Sequence, residues 1–270
     1  MIDRKLRALT DEVAHHIFAA ISDSAVLVGG QSLAFWVARY EIPIFEGYAA
    51  ISMDADYLGD KSDVERIDGS SSFKSIAKFP AKTAITALVG SVHIIPDDDS
   101  YMNVDVIHKV VGIDADVVNN RSVDVETDGI LIRVMHPLHV LESRVNNFYT
   151  LQEKQNDLGI MQMKLSIKVA RCYIADVAEH MEGGQKAALK IIEEVVSLAK
   201  TAAGRLAKLN GINFFEAIPH ELITSEKFKT HRLPRIIQEL DSAQPQKNRQ
   251  PIAGGHSLAT KIVDNKLQYC

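Results

Sequence analysis

The sequence predicts an α+β chain, a mixed α/β first half built on a small mixed sheet and followed by a bundle of α-helices. Three observations carry this. Short apolar runs bounded by turn residues recur between residues 25 and 134. Period-two alternation almost disappears after Pro137, and from there apolar residues keep a helical spacing over long stretches. At 270 residues the chain exceeds what one core usually fills, so two domains are expected, 1–136 and 137–270. A composition of 46% hydrophobic and 24% charged residues excludes a collagen-like, disordered or disulfide-stapled chain.

In chain order, Leu6, Leu9, Val13, Ile17 and Ala20 fall three or four residues apart and predict an amphipathic helix over 4–21. The apolar run 25–28 stops at Gly29-Gly30. Leu33, Trp36, Val37 and Tyr40 then resume helical spacing, so the unit reads strand, glycine turn, helix. Acidic and apolar residues alternate over 51–58, predicting a strand, and further strands are expected at 84–89, 92–95, 104–107, 122–126 and 130–134. Beyond Pro137, one helical stripe runs from Ile160 to Val177 and is interrupted by Gly183-Gly184. A second runs from Leu189 to Leu206. A third helix over 234–240 precedes the polar stretch 241–257, which has the composition of a loop.

The net charge of -5 excludes a uniformly basic polyanion binder. It divides into -9 over residues 1–150, with 13 basic and 22 acidic side chains, and +4 over the remainder. Cys172 and Cys270 offer neither metal-ligand spacing nor a disulfide framework and fit a reducing cytoplasm. No stretch is apolar enough for a signal core or a bilayer span, so no membrane partner is expected.

The chemistry is carried by carboxylates. Asp54 and Asp56 stand two apart in an expected strand, which projects both to one face. Two adjacent anions repel unless a cation lies between them, and an oxygen-only pair suits Mg²⁺ or Mn²⁺. The same pattern also reads as a solvent-facing strand edge. Asp105 is a third acidic residue, inside the apolar strand Val104–Ile107, and it joins the pair if the two strands are neighbours. Gly29-Gly30-Gln31-Ser32, ending a strand and opening a helix, lets backbone approach an anion, with helix N–H groups and the Ser32 hydroxyl aimed at phosphate.

The order of Gly-Gly turn, helix, Asp-x-Asp strand and later single Asp resembles the nucleotidyltransferase superfamily with the DNA polymerase β-like fold. Val28-Gly29-Gly30-Gln31-Ser32-Leu33 is similar to its glycine motif, and Ser52-Met53-Asp54-Ala55-Asp56 to its Ser/Thr-x-Asp-hydrophobic-Asp strand. Asp105 is similar to its third carboxylate. The Gly-Gly-x-x-Leu form resembles the branch of AbiEii-like toxins of abortive-infection systems. That branch carries a lysine and then a basic-Asp-Leu motif after a proline. Here Arg144 follows Pro137, and Asn156-Asp157-Leu158 stands at the second place.

The resemblance implies Mg²⁺-dependent or Mn²⁺-dependent transfer of a nucleoside monophosphate from a nucleoside triphosphate, such as ATP, to a hydroxyl acceptor, with RNA among the candidates. It also implies a toxin-antitoxin setting with a cognate antitoxin protein. Asp54, Asp56 and Asp105 would be catalytic residues and metal ligands. Gly29, Gly30, Gln31, Ser32, Arg144, Asp157 and Lys164 would bind nucleotide.

Two rivals remain at this level: a non-catalytic module that keeps the fold for binding or regulation, and a glycosyltransferase using Asp-x-Asp to hold a nucleotide sugar. Lys164, Lys168 and Arg171 border the apolar stripe and read as a solvated face or as a contact to triphosphate or nucleic acid. Lys74, Lys78 and Lys82 are expected on the surface, and His136 and His139 in a helix N-terminal turn.

Overall fold

The computed structural model describes residues 4–44, 52–70, 73–127 and 129–241. Residues 45–51, between the glycine-turn helix and the Asp-x-Asp segment, and the polar stretch beyond 241 lie outside them. The first strand, β1 (Lys5–Arg7), gives way to helix α1 (Asp11–Ile21) at Thr10, whose hydroxyl accepts from the Val13 N–H. That cap is why the helix starts at 11 rather than at 4. Strand β2 (Val26–Val28) runs directly into helix α2 (Gly29–Arg39), and β3 (Ala55–Leu58) follows.

Helix α3 (Lys61–Ser70) and strand β4 (Lys74–Lys78) come next and have no counterpart in the sequence reading. The apolar spacing of α3 is sparse, with only Val64 and Ile67 as buried apolar residues. The two strands expected at 84–89 and 92–95 are one strand, β5 (Leu88–Ile95), whose register shifts between Leu88 and Gly90. Strand β6 (Ser100–Ile107), helix α4 (Ala115–Arg121), and the hairpin of β7 (Val123–Thr127) and β8 (Ile130–Val134) complete the α/β part.

The sheet order is β4-β5-β6-β3-β2-β8-β7, with β1 beside the first half of β6. The pairs β3–β6, β2–β8 and β1–β6 are parallel and the others antiparallel. The sheet is therefore mixed, as expected.

The helical part comprises α5 (Pro137–Thr150), α6 (Asp157–His180), α7 (Gly184–Lys200), α8 (Ala202–Leu209) and α9 (Leu233–Asp241). The second expected stripe is two helices, because Thr201 leaves the helical region and caps α8 by accepting from the Gly204 N–H. His136 and His139 do form a helix N-terminal turn, the His136 ring accepting from the Leu138 N–H. Among the described residues no helix is long and apolar enough to cross a membrane.

Among the described residues, nearly all buried apolar side chains fall into two clusters. One joins both faces of the sheet to α1, α2 and α3 and takes in Met161, Leu165 and Val169 of α6. The other lies among α5 to α9 and takes in Met163, Ile167, Ala170, Ile174 and Val177 of the same helix. Trp36 of α2 is buried in the first cluster, and its indole N–H donates to the Met135 carbonyl at 2.8 Å.

Candidate active site

Asp56 and Asp105 are direct partners in the parallel β3–β6 pair, so their side chains leave the same face of adjacent strands. Asp54 does not lie in a strand as the alternation predicts. It sits in a bend just before β3, where the Ser52 hydroxyl donates to its Oδ1 at 3.0 Å and to its carbonyl at 3.1 Å. The convergence holds all the same: one carboxylate oxygen from each of Asp54, Asp56 and Asp105 lies within 4.8 Å of the other two.

The glycine turn is fixed by this cluster. Val28, the last residue of β2, pairs with Asp56, so the chain leaves the strand beside that carboxylate. Gly29 has φ +66, and a Cβ there would stand 2.0 Å from Asp56 Oδ2. A Cβ on Gly30 would stand 2.5 Å from the Ser52 Cβ. Both positions exclude a side chain on contact grounds, and Gly29 also on backbone grounds. The anion that the Gly29 backbone approaches in this structure is the Asp56 carboxylate.

Gln31 and Ser32 have local tasks. Gln31 Nε2 donates to the Ser52 carbonyl at 3.2 Å, tying the start of α2 to the acidic segment. Ser32 is fully buried, and its hydroxyl donates to the Gly29 carbonyl at 2.9 Å. It closes the turn instead of facing outward to a phosphate as the sequence suggests.

Burial and the carboxylates of Asp54 and Asp105 push the Asp56 carboxyl up to about 7, while Arg144 and Lys154 pull it the other way. Arg144, on α5, is 8% exposed. Its guanidinium reaches Gln162 Oε1 and Ser143 Oγ, each at 3.3 Å, and its Nε has no hydrogen-bond partner among the described residues. Burial lowers its pKa and the charge of Asp56 raises it, so the cation is held next to the anion cluster. Lys154, in the 3₁₀ turn Gln152–Lys154, is the cation that sequence reasoning overlooks. No local spacing marks it, since only the path of α5 brings it near Asp56.

The remaining predicted residues are spread along α6. Asp157 is exposed in its first turn. Asn156, at the place where the resemblance expects a basic residue, caps the helix by accepting from the Gly159 N–H at 2.9 Å. Lys164 is exposed. Arg171 turns away from the carboxylates to the carbonyls of Glu216 and Ile218 and to the Glu221 carboxylate.

The donor set fits a hard divalent cation. It is oxygen only, three carboxylates share one small volume, and the buried Asp105 Oδ1 has no hydrogen-bond partner among the described residues. Such an oxygen normally finds a donor or a cation. Three anions at this spacing without one are costly, and their repulsion adds to burial in raising the Asp56 carboxyl.

No family model matches the chain, and no curated protein matches it. Solved structures to which the chain is similar include three at TM-scores of 0.38–0.39. The Megavirus polyadenylate synthase is 16% identical, with 63% of this chain and 36% of that one covered at TM-score 0.39. The chain thus spans about a third of the viral protein's length. A protein from H. pylori described as a nucleotidyltransferase is 14% identical, and JHP933 from Helicobacter pylori 15%; each match covers 88% of this chain and all of the other at TM-score 0.38.

Proposed function

We propose that the chain transfers a nucleoside monophosphate from a nucleoside triphosphate to a hydroxyl acceptor, the acceptor oxygen bonding to the α-phosphorus as pyrophosphate leaves, with the carboxylates of Asp54, Asp56 and Asp105 at the reacting centre. The observation that carries this is their convergence beside a glycine turn, with one buried Asp105 oxygen that has no partner among the described residues. Asp54 and Asp56 would hold Mg²⁺ or Mn²⁺ together with Asp105. When bound, the ions supply charge neutralisation for the triphosphate and lower the pKa of an acceptor hydroxyl. Asp105 would help to accept the proton of that hydroxyl. Gly29 and Gly30 open α2 toward the site, and the buried Arg144 and the exposed Lys154 provide positive charge for the triphosphate. Arg144 comes from α5, so the proposed domains 1–136 and 137–270 both contribute to the centre.

The test uses calorimetry and transfer together. Wild type should bind Mg²⁺–ATP or another triphosphate and pass α-labelled nucleotide to a component of total cellular RNA, to protein or to a small hydroxyl compound. The Asp54→Asn, Asp56→Asn double variant should do neither while keeping its fold. No triphosphate binding and no transfer by wild type would overturn the proposal and leave a non-catalytic binding module, a reading that the helix-capping role of Asn156 favours. The resemblance to AbiEii-like toxins extends the proposal to a toxin held by an antitoxin, for which overexpression should arrest growth and Asp54→Ala should relieve it.

A further inference from the structure

The face of the sheet that carries Asp105 continues past the carboxylates onto β5 and β4. Ser75 and Ala77 of β4 point to the helical side, Ser75 donating to the Asp68 carbonyl and Ala77 packing on the first cluster. Lys74, Ile76 and Lys78 therefore emerge on the opposite side. Strand pairing extends this side in rows. Lys78 opposes Ser91, Ser91 opposes Asp105, and Asp105 lies beside Asp56. One step along, Ile76 opposes His93 and His93 opposes Asn103, and a further step reaches Tyr101 beside Leu6 of β1. The rings of His93 and Tyr101 are stacked, with centroids 4.7 Å apart and planes 21° from parallel. Lys78 Nζ stands 3.1 Å from His93 Nδ1.

We propose that this face is a platform for a single-stranded RNA whose terminal hydroxyl is delivered to Asp105; the inference rests on the nucleotidyl-transfer reading and names its acceptor. A stacked ring pair presents a π-surface that accepts any base, and lysines beside it meet the phosphates. Asn103 lies between the ring pair and Asp105 and offers both a donor and an acceptor, which matches a ribose 2′-hydroxyl. Two strand spacings separate Asp105 from Lys78, about 10 Å, room for roughly two nucleotides. A protein partner fits less well, because the exposed large apolar residues in these rows are Leu6 and Ile76, separated by the polar and aromatic side chains.

The experiment measures fluorescence anisotropy of 5′-labelled twelve-residue oligoribonucleotides, single-stranded and duplex, and of single-stranded DNA of the same sequence. Mg²⁺ is present and triphosphate absent, and triphosphate binding is followed separately by calorimetry. Wild type should prefer the single-stranded RNA. Tyr101→Ala and His93→Ala should each weaken it about tenfold, Tyr101→Phe should stay within about twofold of wild type, and Lys74→Gln with Lys78→Gln should flatten the salt dependence. All four should bind triphosphate as wild type does, which also shows that they fold.

If wild type takes triphosphate but no oligonucleotide, the platform is overturned while the transfer reading stands, and a protein or small hydroxyl compound becomes the acceptor. Equal binding of DNA overturns the assignment to RNA. Alanine variants that bind RNA as wild type does overturn the ring pair's role. Failure to bind triphosphate at all takes down the transfer reading itself, and the platform with it.

Discussion

Asp56 ionises against burial and two neighbouring carboxylates, and this gives the cation-free protein a distinctive pH dependence. Its carboxyl is raised from 3.8 to about 7. A carboxyl raised on folding makes the folded state bind more protons than the unfolded one between those two values. Its contribution therefore favours folding at the acid end and declines as pH rises from about 4 to about 7. In chelator, denaturant titrations from pH 4 to 8 should show wild type losing stability relative to Asp56→Asn across that window, and levelling above it. Parallel profiles would refute this. A saturating divalent cation should erase the decline, because it displaces the proton and stabilises the ionised form. The sequence shows this residue, its period-two relation to Asp54 and, through the resemblance, Asp105 as a third carboxylate. Its ionisation state depends on burial, on Asp54 and on Asp105, which is 49 positions away in the chain, and no local pattern encodes that burial or that distance of approach.

At the scale of elements, the β2–α2 turn couples a backbone conformation to the acidic cluster. Gly29→Ala must place a Cβ on the Asp56 carboxylate and hold a left-handed φ, at about 1–2 kcal/mol for the backbone alone. Gly129→Ala supplies the control, since Gly129 has φ +77 and nothing within 4 Å of the added carbon. Thermal unfolding should show a larger loss for Gly29→Ala than for Gly129→Ala, and only the first should lose stabilisation by added Mg²⁺ or Mn²⁺. Equal losses would mean that the contact with Asp56 has no consequence. The strand, glycine turn and helix of this unit were readable because apolar periodicity changes at the glycines. Asp54 was placed in a strand because alternation continues through it, whereas its bend is set by the Ser52 side chain. Helix α3 and strand β4 were missed because their burial is partial: the outward residues of β4 are exposed, and little apolar signal remains in the sequence.

Over the whole molecule, α6 is the shared wall of both apolar clusters, with Met161, Leu165 and Val169 in one and Met163, Ile167 and Ile174 in the other. A helix committed to both cores links their unfolding. Trp36 is the single tryptophan and reports on the first cluster, while far-UV circular dichroism is dominated by the long helices of the second. Denaturant titration should give coincident midpoints for the two probes, and separated transitions would show two units that fold independently. The long periodic stripe of α6 was evident from sequence, but not which cluster each of its faces would join, because periodicity reports that a face is buried without naming the surface that buries it. The in-register pairing of Asp56 with Asp105 also bears on how such a chain diverges. A one-residue slip of β6 would turn Asp105 into the core and Val106 out of it, so the fold itself would be lost along with the alignment. Descendants of this sequence can thus shed a carboxylate by substitution but cannot drift gradually out of alignment. A lineage that lost the acidic cluster would leave altered residues in an otherwise unchanged frame.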